Sequence, residues 1–241
     1  DTEVKRLDAL KKQFDDLRVH AKSQLEHVWH ARQAISATRM QFLEETLADN
    51  HFVRMNLIPY GRDAQAMDRS LRDLLGVPDK FKDDIYSESQ GDTPAKGLVA
   101  NLLLAADLLE TPDEPATQHL EEAIKQLQNR LVSSCRGSAE FGGWFNKYLT
   151  GETEKRPELI NHIQCWFPED GLQVEYSRKG NGKDFQSIGQ ASAGQRAAAM
   201  LAFLLAHGDE PLVLDQPEDD LDNHLIYDLV VQQIRANKQR R

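Results

Sequence analysis

Cysteine is nearly absent. Cys135 and Cys165 are the only two, too few for a disulfide framework and without the spacing of a zinc site. Aromatic residues make up 7% of the 241, with 14 glycines and 9 prolines, while Glu, Lys, Leu, Ala and Gln are plentiful, a balance that points to helices. No apolar run approaches the roughly 18 to 20 residues that a membrane-crossing helix needs. The first ten residues, Asp1 to Leu10, lack the shape of a signal peptide. A reducing, cytoplasmic setting with no membrane partner is therefore expected. Excess positive charge is missing too: the net charge of −10 excludes a chain that binds nucleic acid by bulk charge alone. What is present suits a folded, mainly helical protein, with 40% hydrophobic and 28% charged residues.

Residues 1 to about 50 predict one long helix. Leu7, Phe14, Ala21, Val28, Ile35 and Phe42 recur every seven residues, the pattern of a coiled-coil or helical-hairpin arm. One set of alternating positions is impure, because Lys11, Arg18, Arg32 and Arg39 fall on it. Pro59-Tyr60-Gly61 breaks the pattern. A second amphipathic helix runs from Ala64 to Leu75 and stops at Gly76 and Pro78. Residues 81 to 92 predict a loop or short helix. Thr93-Pro94 and Thr111-Pro112 look like helix starts, a capping hydroxyl followed by a proline where no amide donor is needed. The first leads into the leucine-rich stretch Leu98 to Leu109. The second leads into a helix marked by Leu120, Ile124, Leu127 and Leu131, expected to return beside the arm.

After Cys135 the pattern changes. Gly137, Gly142, Gly143 and Gly151 accumulate, and a short helix is expected from Pro157 to Cys165. Leu172 to Tyr176 alternates like a strand, Asn181-Gly182 signals a turn, and Asp184 to Ile188 forms the return strand. The expected organisation is a helical arm over residues 1–135 and a compact α/β region over 136–241.

The chemistry concentrates between residues 190 and 223. Ser192 followed by Gln195 is a capping box that opens a helix from Ala197 to His207, a purely structural account of both residues. Gly194 in the first turn is less easily explained that way, since glycine costs roughly 1 kcal/mol against alanine in a helix. Its missing side chain admits close approach to the backbone, and a helix start with free amides and a hydroxyl suits an anion. Further on, Leu212-Val213-Leu214 predicts a strand buried on both faces. Asp215 stands at its carboxyl end, where ligands of open α/β sheets collect and a carboxylate can hold magnesium.

Taken together, these segments resemble the C-terminal half of an ABC-type ATPase head of the SMC/RecN kind, in which a coiled coil is inserted. Ala191-Ser192-Ala193-Gly194-Gln195 is similar to the family's signature loop, Leu212 to Asp215 to its Walker B strand, and Asp219-Asp220-Leu221-Asp222 to its D-loop. The separations, 23 residues from Ser192 to Asp215 and seven from Asp215 to Asp222, are those the family uses. Asp215-Gln216-Pro217-Glu218 also resembles the TrlF-type bacterial ATPases, associated with nuclease modules, DNA maintenance and phage defence. The resemblance covers about residues 170 to 235 in sequence and the remainder only in architecture.

The resemblance implies an ATP-dependent dimer of two heads. It assigns Ser192, Ala193, Gly194 and Gln195 to nucleotide contact, Asp215 to magnesium, and Gln216, Glu218 and Asp222 to catalytic roles. It implies as partners a second head, an N-terminal half carrying the Walker A loop, a nuclease module and DNA. Three departures stand against it. No Gly-x-x-x-x-Gly-Lys-Ser/Thr occurs, so the chain is expected to begin inside the arm and to be inactive alone. The family's switch histidine is not reached, and His224 stands too early to replace it. Gln216 occupies the place of the family's catalytic glutamate, and an amide orients water but accepts protons poorly. Gln216 is native to this subgroup with Glu218 or Asp219 assisting, or an engineered trap, or the mark of a slow switch. The competing reading is a non-catalytic helical interaction module. His20, His27, His30 and His51 read as solvated histidines rather than metal ligands, and Glu218-Asp219-Asp220 as a loop and helix start.

Overall fold

No glycine or proline occurs before Pro59, and the residues that precede it are rich in Leu, Ala, Lys, Arg, Glu and Gln, all good helix formers. They form α1 (Thr2–Leu47), a helix of 46 residues, about 69 Å long at the standard rise. The structure is a computed structural model, and the described residues are 2–48, 50–107, 116–177, 182–190 and 192–206. Among them the protein is mixed α/β, mostly helical, with a small antiparallel sheet. No described helix is long and apolar enough to cross a membrane.

The chain divides into two units. The first takes residues 1–34 and 59–170, the second 35–58 and 171–241. The composition change after Cys135 falls within the first unit.

In the first unit, α2 (Ala64–Leu75) begins where the Asp63 carboxylate accepts from the amides of Gln65 and Ala66, and it ends at Gly76 in the left-handed conformation. Both ends follow the sequence expectation. α3 (Lys82–Ile85) is a single turn. α4 (Leu98–Asp107) and α5 (Ala116–Cys135) bury Val99, Leu102, Ile124 and Leu131. α6 (Gly143–Lys155) and α7 (Leu159–Gln164) add Phe145, Leu149, Leu159 and Ile163 to the same core. α6 has no counterpart in the sequence expectation, because the glycines around it mask the apolar pair Phe145 and Leu149 one helical turn apart. α5 packs chiefly on α4, α6 and α7, and meets α1 where Gln33 donates to Glu121 and Lys125 lies over the Trp29 ring.

Thr93 is not a helix start. Its amide donates to the Gln90 carbonyl and its carbonyl accepts from the Gln90 amide, closing a tight turn around Gly91. Ser87 and Lys96 pair likewise, so this hydrogen-bonded excursion outcompetes the local capping signal and α4 starts only after Gly97. Thr111-Pro112 lies outside the described residues.

In the second unit, β1 (Val53–Ile58), β2 (Gly171–Ser177) and β3 (Phe185–Ser187) form a sheet in the order β1-β2-β3. The predicted hairpin of β2 and β3 is present, with Tyr176 opposite Gln186. β1 is an addition: Val53-Arg54-Met55-Asn56 alternates with period two, and Val53 and Met55 face an apolar cluster with Tyr176. On the other face Arg54 pairs with Glu175, directly opposite in register. α8 (Ala193–Ala206) follows and buries Ala199 and Leu201 in the same cluster, against Leu43 and Leu47 near the end of α1.

Candidate functional site

The helix start at Ser192 is the expected site that the described residues contain. Phe185 to Ser187 ends the sheet, a 3-10 turn spans Ile188–Gln190, and α8 begins at Ala193. The Arg196 amide donates to the Ser192 carbonyl at 3.0 Å, which places Ser192 at the N-cap. Ser192 and Ala193 are exposed. Gly194 and Gln195 lie in the first turn. The helix is held by one face, where Ala199 and Leu201 are buried, while Met200 and Leu204 face outward. At its amino end the first-turn amides have no upstream carbonyl within the helix, and the positive end of the helix dipole coincides with small residues.

Asp215, Gln216, Glu218 and Asp222 lie outside the described residues, as do Leu212–Leu214 and the final helix. The described residues thus include the turn at Ser192 but not the positions expected to hold magnesium or to act in catalysis. His20, His27 and His30 are exposed on α1. Among the described residues no group of three His, Cys, Asp or Glu side chains is arranged to hold a metal ion.

Two further polar features emerged that the sequence did not point to. In the second unit a hollow of about 320 Å³ is lined by Glu44, Asn50, His51, Arg54, Gly182 and Phe185, among others. The Asn50 side-chain oxygen accepts from the amides of Phe52 and Val53, turning the chain from α1 into β1. Its Nδ2 is buried without a hydrogen-bond partner among the described residues. Arg54 is neutralised by Glu175, at 2.6 Å, and its guanidinium lies over the Phe185 ring. The hollow therefore holds no uncompensated cation from Arg54.

In the first unit, α1 is fastened by a closed network. Arg32 donates to both oxygens of Asp170 and to the Pro168 carbonyl. Asp170 also accepts from the Tyr60 amide at 3.1 Å. The Tyr60 hydroxyl donates to Glu121 at 2.8 Å, and Gln33 donates to the other oxygen of Glu121 at 2.9 Å. Burial first, and the bond to Glu121 second, push the Tyr60 phenol far above the usual tyrosine range. A phenol so held stays protonated and serves as a fixed donor. The network is a fastening rather than a catalytic site: its members satisfy one another.

Comparison with protein-family models, curated proteins and solved structures returned no match.

Proposed function

We propose that this chain is the C-terminal lobe and part of the arm of an SMC-like ABC ATPase, working as an ATP-dependent dimer. The observation that carries the reading is the exposed N-cap Ser192, at the amino end of a helix that buries Ala199 and Leu201. In the 34 residues from Gln190 to Asn223, a signature-like segment, an apolar run ending in Asp215 and an acidic run follow in the family's order and spacing.

In this reading the Ser192 hydroxyl and the first amides of α8 donate to the terminal phosphate of a nucleotide held chiefly by a second head. Ala193 and Gly194 keep the approach open. Asp215 would hold magnesium, which would neutralise phosphate charge. Gln216 orients the attacking water, with Glu218 and Asp222 assisting. Catalysis then rests on positioning and charge stabilisation. A role in DNA maintenance or phage defence beside a nuclease module follows from the TrlF-type resemblance alone. The other reading, a non-catalytic helical scaffold, is favoured by Gln216 and by the lack of a phosphate-cradling loop in these residues.

The test has two arms. Residues 1–241 alone should hydrolyse no ATP above background, and magnesium-dependent turnover would overturn the division of labour. In the polypeptide that also carries a Walker A loop, Ser192→Arg should abolish ATP-driven dimerisation while leaving nucleotide binding by the isolated head intact. Dimerisation that survives this substitution favours the scaffold reading.

A further inference from the structure

The first 21 described residues of the chain, Thr2 to Lys22, are exposed without exception. They form the amino-terminal part of α1, about 30 Å of helix at the standard rise. This stretch is not a solvated polar helix. Leu7, Leu10, Phe14 and Leu17 are 65%, 52%, 60% and 66% exposed. Their spacing, three then four residues, is that of positions a and d of a heptad, and Ala21 continues it. A seam of this kind in water lacks its covering surface.

The residues beside the seam identify what covers it. With Leu7 at a and Leu10 at d, the flanking e and g positions from Val4 to Leu25 hold Val4, Arg6, Lys11, Gln13, Arg18, His20 and Leu25. None is acidic. The carboxylates Asp8, Asp15 and Asp16 stand on the outer face instead. Among the described residues neither Arg6 nor Lys11 forms an ion pair, while Arg18 reaches back over the Phe14 ring. A second copy of this helix is therefore a poor partner. Parallel pairing sets Arg6 against Lys11 of the other copy, and antiparallel pairing sets each basic flank against itself.

We infer that this seam is the docking surface for a different helix, one with an apolar heptad stripe flanked by aspartate or glutamate. Apolar contact along Leu7, Leu10, Phe14 and Leu17 supplies the attraction. The basic flanks choose the partner and exclude self-association. The inference does not rest on the nucleotide reading, since none of these residues belongs to the Ser192 helix start.

The experiment uses the full 241-residue chain and two synthetic helices of roughly four heptads, leucine at a and d, differing only in glutamate or lysine at e and g. Fluorescence anisotropy should show the acidic helix binding at least about tenfold more tightly at low salt, a gap that narrows as salt screens it. The triple reversal Arg6→Glu, Lys11→Glu, Arg18→Glu should invert the preference, and Leu10→Ser, Phe14→Ser, Leu17→Ser should abolish binding. All six positions are exposed, so circular dichroism should report an unchanged fold. Equal binding of both helices, binding of neither, or a preference that survives charge reversal would overturn the inference. So would sedimentation showing the unaltered chain to be a dimer that the serine substitutions dissolve.

Discussion

Tyr60 donates its hydroxyl hydrogen to Glu121 at 2.8 Å, joining residues 61 apart in the sequence. Tyr60 does so from a left-handed backbone conformation, φ 59°, that non-glycine residues rarely adopt. The conformation is held from two sides, by the Tyr60 amide on Asp170 and by the hydroxyl on Glu121.

Tyr60→Phe should lower the stability of the first unit by roughly 1–2 kcal/mol near neutral pH, because Glu121 loses a buried donor. The pH dependence has a definite sign. Since the folded phenol titrates above the unfolded one, the unfolded chain releases this proton first as pH rises. The stabilisation is complete below about pH 10 and declines above it. Thermal melts from pH 8 to 11 should show the parent losing more stability than the variant across that range; parallel curves would contradict it.

Asp170→Ala should cost more, roughly 3 kcal/mol, since it leaves a mostly buried guanidinium unpaired and removes the acceptor of the Tyr60 amide. All three tryptophans, Trp29, Trp144 and Trp166, lie in the first unit, so their fluorescence in a urea titration follows that unit. Replacing both partners, Arg32→Met with Asp170→Leu, should recover part of the loss. An unchanged midpoint for Asp170→Ala would show that the network fastens nothing.

Gly97 has φ 99°, and a Cβ there would stand 2.6 Å from the Ile85 carbonyl oxygen. Gly97→Ala should therefore destabilise by roughly 2–4 kcal/mol, with backbone strain and a backbone clash acting together. Gly91 also has positive φ but open space around its Cβ, so Gly91→Ala should cost only about 1 kcal/mol. Equal midpoints for the two variants would refute the clash.

The two thiols should react at very different rates. Cys165 is exposed, whereas Cys135 is buried and its thiol is pushed up by that burial. A maleimide titration should show one fast equivalent, lost in Cys165→Ser, and a second only on unfolding. Two fast equivalents would mean that the α5–α6 core opens readily.

The helices were legible where one local period governs a long stretch. α1, α2 and α5 announce themselves through apolar spacing, and α2 through Gly76 as well. The β2–β3 hairpin was legible for the same reason, its strands being neighbours in sequence. The capping signal at Thr93 misled, because it competed with hydrogen bonds to Gln90 that no local rule weighs. β1 carried a period-two signal but is too short to stand against a helix-rich neighbourhood; its partner β2 lies 121 residues away at the Arg54–Glu175 pair.

The candidate site divides along the same line. Sequence alone determined that Ser192 opens a helix, since the Ser192 and Gln195 side chains form a capping box within one turn. Only the tertiary structure decided that this helix start is exposed, because that depends on Ala199 and Leu201 being buried against residues far away in the chain, Leu43, Val53 and Tyr176. The basic flanks of α1 were likewise written in the sequence, but that their apolar seam stays uncovered could be settled only by where every other described segment packs. Local hydrogen bonding and periodicity are properties of a segment; exposure is a property of everything that fails to cover it.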